Sequence, residues 1–296
     1  MSETLGAFVE RALAASIVPA VAALARQLGA EANARSVLFY GSNLRSGALE
    51  GVLDFYVLTP GPVERGMWPT VSYREVEIDG VTLRAKIATM RLATFAQAAA
   101  AQTLDTTIWA RFAQPAALAW TADAAAARHT RDAVAAAAIS AARFAAALGP
   151  DDGAAVDYWR ALFRATYAAE LRVERSGREE QFIARDHDHY VALLPLAWAA
   201  GEVSFTEDNG RYRPQLAHDT RTRLRRQWRR RRAMGKPINI ARLIRAAFTF
   251  DGAARYGAWK IERHTGVAVR LTPWRERHPV LAAPGVFFSV WRARRG

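Results

Sequence analysis

The chain has 296 residues, 51% of them apolar and 23% charged, with a formal net charge of +13 and no cysteine. That length and apolar fraction allow one large domain or two ordinary ones and exclude wholesale disorder. Without cysteine there is no disulfide, thiolate nucleophile or iron–sulfur centre, and the arginine excess over residues 211–296 points to a polyanionic partner, either nucleic acid or an anionic membrane surface.

In chain order, residues 4–29 read as one amphipathic helix ended by Gly29, with Leu5, Phe8, Val9, Ala12, Leu13 and Ile17 at helical spacing. No basic leader precedes these apolar residues, so a signal peptide is not expected, and no uncharged run reaches membrane-spanning length. A buried strand follows over 36–40, then the turn at Gly41-Ser42, then a second strand over 52–58 closed by Pro60-Gly61-Pro62. Residues 71–78 and 81–88 read as strands joined by Asp79-Gly80, a strong hairpin signal. A helix is expected over 91–103. From residue 123 the pattern turns helical, over 123–148, about 154–175 and 186–200, with Gly149-Pro150 starting the first break. Asn209-Gly210 centres a hairpin within 201–216, placed after a helix as the wing of a winged-helix unit would be. Residues 221–232 form a highly basic helix or tail. Gly235-Lys236-Pro237 marks a break, and 238–247 and 252–263 look helical.

The most informative stretch is Val37–Gly47 followed by Val52–Val57. Asp54 interrupts an otherwise hydrophobic strand, and such strands seldom carry a carboxylate unless it binds a metal or does chemistry. The Gly41-Ser42 turn lets backbone N–H groups and a hydroxyl approach a phosphate. Together these are the minimal parts of a nucleotidyltransferase site, the plain alternative being an ordinary hairpin with Asp54 at a strand end. Alternation puts Leu53, Phe55 and Val57 on one face and Asp54 and Tyr56 on the other. Magnesium takes oxygen ligands and often only one or two carboxylates, which makes Asp54 the metal candidate. The usual second acid, two residues on, is replaced by Tyr56. Glu75 and Glu77 read either as a further carboxylate or as the solvent face of their strand. Lys86 is one of only three lysines. It is a candidate for neutralising charge on a leaving pyrophosphate, or else a solvated strand charge. His187 and His189 do not share a helix face, so helix capping by Asp186 or Asp188 is the better reading there than a metal site.

The expected fold is therefore α/β (α+β). A nucleotidyltransferase-type mixed sheet flanked by helices occupies 1–122, and a helical domain with a candidate winged-helix unit occupies 123–235. A basic C-terminal helical segment, with a candidate membrane-facing tail, occupies 236–296.

These residues resemble the mitochondrial-type CDP-diacylglycerol synthases, or phosphatidate cytidylyltransferases. The resemblance is carried, in order, by Tyr40-Gly41-Ser42, Leu53-Asp54-Phe55, Arg84-Ala85-Lys86-Ile87-Ala88, Ala110-Arg111-Phe112-Ala113-Gln114-Pro115, Ile244–Phe250 and Tyr256-Gly257-Ala258-Trp259-Lys260. A single acid on the strand is the pattern of that family. Departures are Gln114 where the family has lysine, Asn43 where glycine is common, a short linker from Ser42 to Asp54, and only loose similarity over 123–235.

The resemblance implies a bacterial relative that makes CDP-diacylglycerol and pyrophosphate from CTP and phosphatidate, or a related lipid phosphate, with Mg²⁺. It implies Asp54 and Lys86 as catalytic residues, with Asp54 on the metal. Tyr40, Gly41, Ser42, Asn43, Lys86 and Arg111 are implied around the nucleotide, and Arg45 joins them by its position in the loop. Arg245, Lys260, Trp291 and Arg292 are expected at the lipid phosphate or the membrane. The expected location is cytoplasmic, peripheral on the inner face of the membrane, where arginines beside Phe287, Phe288 and Trp291 have the composition of an interfacial anchor. The rival is a nucleotidyltransferase or binding protein acting on nucleic acid, with Arg221–Arg232 gripping phosphates and Trp228 stacking a base. A third class is an inactive membrane adaptor of the same fold.

Overall fold

The computed structural model describes residues 3–170 and 178–277, with 282 and 285 as isolated positions. The expected anchor at the C-terminal end, with Trp291 and Arg292, and the end of the helix expected to reach 175 lie outside the described residues.

The first expected helix is two. Helix α1 spans Leu5–Leu13 and α2 spans Pro19–Glu31, separated by a short linker. Pro19 is the cause: it has no N–H to donate into a preceding turn, and it suits the first position of a new helix. Gly29 does not end α2 but lies inside it, where a Cβ would stand 2.4 Å from the Trp120 ring. It serves close packing rather than termination.

The central sheet is built from β1 (Ser36–Tyr40), β2 (Leu53–Thr59), β3 (Thr70–Ile78), β4 (Val81–Arg91) and β5 (Ala116–Thr121). A short helix α3 (Ser42–Ser46) joins β1 to β2, while α4 (Leu92–Ala99) and α5 (Thr107–Phe112) lie between β4 and β5. The strand order is β3-β4-β2-β1-β5, and every pairing is antiparallel except β2 with β4. The sheet is thus mixed, as expected. The hairpin at Asp79-Gly80 forms, with both residues at positive φ as a two-residue turn of this kind requires. Alternation divides the sheet into two buried faces. Leu53, Phe55 and Val57 join Leu83, Ala85 and Ile87 under α2, whereas Tyr56, Leu58, Ala88 and Met90 face the other helices.

That second face runs without interruption into the helical half of the molecule. Helix α6 (Ala124–Leu148) is its spine, and alanines 137, 138, 141, 142, 145 and 146 are all buried. Small side chains let α1, α5, α7 (Ala155–Ala169) and α9 (His187–Ala200) approach its backbone closely. Helix α8 (Arg178–Arg185) precedes α9. The short strand β6 (Gly153–Ala154) pairs with β8 (Arg211–Pro214), which pairs with β7 (Phe205–Asp208) across the expected Asn209-Gly210 turn.

Helix α10 spans His218–Thr249 and runs straight through the expected break at Gly235–Pro237. Proline inside a helix loses a hydrogen bond, but here both flanks are anchored. Arg231 donates to the carbonyls of Ala101 and Thr103, and Arg242 pairs with Asp105 at 2.7 Å and covers the Trp68 ring. Gly235 permits contact with the end of α7, because a Cβ there would lie 2.4 Å from the Ala169 carbonyl oxygen. Leu224, Trp228 and Arg231 form the inward stripe of α10. Trp228 packs against Trp109 and Phe144 and is buried, so it has no free face on which to stack a base. Beyond α10, α11 (Ala253–Thr265) returns the chain to the edge strand β3, and α12 (Pro273–Arg277) packs against α11. There the Tyr73 amide donates to the Asp251 carbonyl at 2.8 Å.

Candidate active site

Strand register assembles the site. Tyr40 on β1 pairs with Asp54 on β2, Asp54 pairs with Lys86 on β4, and Lys86 pairs with Tyr73 on β3. Cross-strand partners point to one face of a sheet, so these four side chains form a row across it. Asp54 and Lys86 are 32 residues apart in sequence and adjacent in space only because β2 and β4 run parallel and in register.

Each end of the row is capped by another element. On the Tyr40 side stands Arg111, from the last turn of α5. It donates to the hydroxyls of Tyr40 at 3.1 Å and Tyr56 at 3.3 Å, and its guanidinium lies over both rings. The residue in place of a second acid therefore positions an arginine. Burial opposes the Arg111 charge, but the phenol oxygens of Tyr40 and Tyr56 and the carboxylates of Asp54 and Glu170 more than offset it, raising its pKa. On the Tyr73 side, α11 places Tyr256 5.3 Å from the Tyr73 ring, with the Lys260 ammonium 5.7 Å from the Tyr256 ring centre. Lys260 is close enough to repel Lys86.

The central pair is strongly desolvated. Burial raises the Asp54 pKa, and Lys86 and then Arg111 oppose that shift. Burial lowers the Lys86 pKa, and Asp54 opposes it. A carboxylate and an ammonium pushed towards neutrality in this way are poised to gain from a charged ligand.

Gly41 sits at φ 95°, ψ −165°, a region of backbone space that is essentially glycine-only. A Cβ there would lie 3.2 Å from the Asp54 Oδ2. The missing side chain keeps one face of the carboxylate open.

Over the Tyr40–Asp54 end of this row lies a cleft of about 400 Å³, lined on the sheet side by Tyr40, Gly41, Ser42, Arg45, Asp54 and Arg111; Lys86 stands beside Asp54 but does not line it. That volume is within the usual range for a small-molecule site. Its lining holds three arginines (45, 111 and 185) against one carboxylate, Asp54. The opposite wall, which no sequence motif marked, carries Tyr167 from α7 and Gln181, Phe182 and Arg185 from α8.

Other expected site residues stand differently. Asn43 does not line the cleft; its amide donates to the Ala48 and Glu50 carbonyls at 2.9 and 2.8 Å and holds the loop before β2. Arg45 does line it, but is paired with Asp186 at 3.4 Å. Asp186 occupies the cap position of α9 without capping it through its side chain, contrary to expectation, because that carboxylate faces Arg45. Arg245 donates to the Met67 carbonyl, away from the row. Glu75 accepts from the Tyr73 hydroxyl and pairs with Arg84, so it is not turned towards Asp54. His189 is half-buried against Phe8, where desolvation holds its imidazole down at about 4 and neutral.

Among the described residues no three His, Asp or Glu side chains cluster to hold a metal. The fit to Mg²⁺ rests on Asp54 alone: an oxygen donor with an open face, able to share the ion with phosphate oxygens. No protein-family model matches the chain, and no curated protein matches it significantly.

Proposed function

We propose that the protein is a magnesium-dependent cytidylyltransferase that acts on CTP and a lipid phosphate, phosphatidate or a related one, at a membrane surface. The observation that carries this reading is the Tyr40–Asp54 pair beneath a cleft with excess cationic charge, with Lys86 next to Asp54 in the register and the one carboxylate held open by Gly41. The mixed sheet with Asp54 at its centre is read as a nucleotidyltransferase fold. The sequence α6–β6–α7–α9–β7–β8, with β8 between β6 and β7, is read as a winged-helix unit packed against it.

The chemistry needs little proton traffic. An anionic oxygen of the lipid phosphate attacks the α-phosphorus of CTP, the bond from that phosphorus to the bridging oxygen breaks, and its electron pair leaves with pyrophosphate. Positioning and charge stabilisation do the rest. Asp54 would hold Mg²⁺, which when bound would offset charge on the triphosphate. Lys86 and Arg111 meet the phosphate oxygens from either side of Asp54, and Gly41 allows the close approach. Lys260, on the Lys86 side of the row, is assigned to the incoming lipid phosphate.

The lipid acceptor is supported by the family resemblance and by the surface of α10. Ile240, Leu243 and Ile244 are 46, 58 and 59% exposed and share a helix face at i, i+3, i+4 spacing. Lys236 and the arginines earlier in α10 extend that surface with positive charge, the pattern of a helix seated at an anionic interface. No described helix is long and apolar enough to cross a membrane. From the α10 surface and the family resemblance we place the protein peripherally, on the cytoplasmic face of the membrane. The nucleic-acid reading loses its stacking residue to the core, since Trp228 is buried.

Purified protein given Mg²⁺, CTP and phosphatidate vesicles is expected to release pyrophosphate, and to sediment with anionic vesicles at low salt but less at high salt. No turnover with any lipid phosphate, together with tight RNA or DNA binding, would overturn the lipid reading.

A further inference from the structure

We infer that the α8 wall of the cleft is a nucleobase subsite, selective for a base edge with two adjacent acceptors, and that Arg185 is its specificity residue. The inference rests on the cytidylyltransferase reading and assigns the half of the cleft that the phosphate-facing residues leave unused.

The cleft has two chemically different ends. Gly41, Ser42, Asp54 and Arg111, with Lys86 beside them, suit a metal–triphosphate group. Across from them stand Tyr167, Gln181, Phe182 and Arg185, a combination of aromatic surface, amide and guanidinium with no carboxylate. Phe182 is fixed in place by edge contact with Phe163 at 5.0 Å and lies 6.3 Å from both the Tyr167 and Tyr190 rings. An immobile aromatic edge gives a flat base a surface to pack on.

Polar atoms nearby also point to a ligand. The Tyr190 hydroxyl and Arg45 Nε are buried and make no hydrogen bond within the protein, and Asp186 Oδ2 has its ion pair with Arg45 but no hydrogen bond. All three belong to one group at the junction of α8 and α9, since Asp186 and Arg45 act electrostatically on Tyr190. Buried polar atoms in a native protein are normally satisfied; of these three residues Arg45 lines the cleft, and its Nε is the donor that a ligand acceptor would satisfy. The Arg45–Asp186 pair meanwhile ties α3 to the end of α8, setting the separation of the phosphate and base ends.

Arginine presents two parallel N–H donors. They match cytosine, which offers O2 and N3 side by side, and also the O6/N7 edge of guanine. Uracil places an N–H at position 3, and adenine has an amino donor beside N7, so each opposes the fork. Gln181 can accept from an exocyclic amino group such as that of cytosine.

The test measures binding of CTP, GTP, UTP, ATP and inorganic tripolyphosphate, each with Mg²⁺, by calorimetry to the full chain and its Arg185→Met and Gln181→Leu variants. Wild type should bind CTP at least about tenfold more tightly than UTP or ATP, with the GTP arm separating cytosine from guanine. Arg185→Met should weaken CTP about tenfold or more and flatten that preference, while tripolyphosphate binding stays within about twofold. The retained tripolyphosphate binding also shows that the variant is folded. Equal losses for CTP and tripolyphosphate would make Arg185 a phosphate ligand and overturn the subsite, as would an unchanged base preference in both variants; a wild type that favours GTP would keep the two-acceptor subsite and overturn the choice of cytidine. Wild type that binds none of the five would overturn the nucleotidyl-transfer reading itself, an outcome distinct from tight but unselective binding.

Discussion

Asp54→Asn is expected to lower cytidylyl transfer on the order of 10³-fold without lowering the melting temperature at pH 7. The two halves of this prediction have one cause. Asp54 is half-buried on the sheet and is proposed as the protein's metal ligand, so the amide removes the charge that would hold Mg²⁺ against the triphosphate. Its folded pKa is raised, chiefly by burial. For an acid the sign follows directly: ionisation costs stability once the pH exceeds the unfolded value, and the full cost is present above the folded one. Asparagine mimics the protonated acid and escapes that cost. Mg²⁺ and CTP should raise the melting temperature of wild type and leave the variant unmoved. A variant that melts well below wild type yet still turns over would mean that Asp54 is structural. Kinetics and thermal melts with and without Mg²⁺–CTP decide between the two.

Gly41→Ala is expected to give the second large effect, with activity down about 100-fold and a melting temperature lower by several degrees. The backbone at this position costs a non-glycine residue about 1–3 kcal/mol, and a loss of that size shifts melting by about 2–4 °C per kcal/mol in a chain of this class. The new methyl also arrives 3.2 Å from Asp54 Oδ2, on its open face. Misplacing a reacting group by about 1 Å costs about 100-fold. Ser42→Ala, one residue on, adds no such strain and should lose much less activity. Similar losses in both variants would show that the hydroxyl, not the backbone opening, is what matters. Steady-state kinetics on the pair measures this.

What was legible in the sequence depended on local chemistry. Asp79-Gly80 and Asn209-Gly210 announced their hairpins because the turn demands positive φ from its own two residues. The two faces of β2 were legible because alternation depends only on the pleat. The two misread prolines show where local rules stop. Pro19 opens a new helix after a short linker, whereas Pro237 sits in a helix clamped by Arg231 and Arg242 to partners more than 120 residues away in sequence.

The site was half legible for the same reason. Tyr40, Gly41, Ser42 and Asp54 lie close in sequence and carry recognisable chemistry. Lys86 was visible as a rare lysine, but its place beside Asp54 required a parallel pairing that spacing does not disclose. Tyr56 looked like a missing acid and proved to be one of two hydroxyls that hold Arg111. Asn43 sat within the motif yet serves the loop through hydrogen bonds to carbonyls five and seven residues on. The α8 wall was invisible because glutamine, phenylalanine and arginine in a helix form no motif. They become a wall only when α8 and the sheet close around one cleft.

The central claim is that this cleft moves a cytidylyl group onto a lipid phosphate, and transfer of label from CTP tests it most directly. Protein is incubated with Mg²⁺, phosphatidate vesicles and CTP carrying radioactive phosphorus at the α position, and the organic phase is then extracted. The account predicts a labelled lipid, formed in equal amount to pyrophosphate and absent with Asp54→Asn. Label that stays with CTP, or enters an added RNA or DNA strand instead of the lipid, would contradict it.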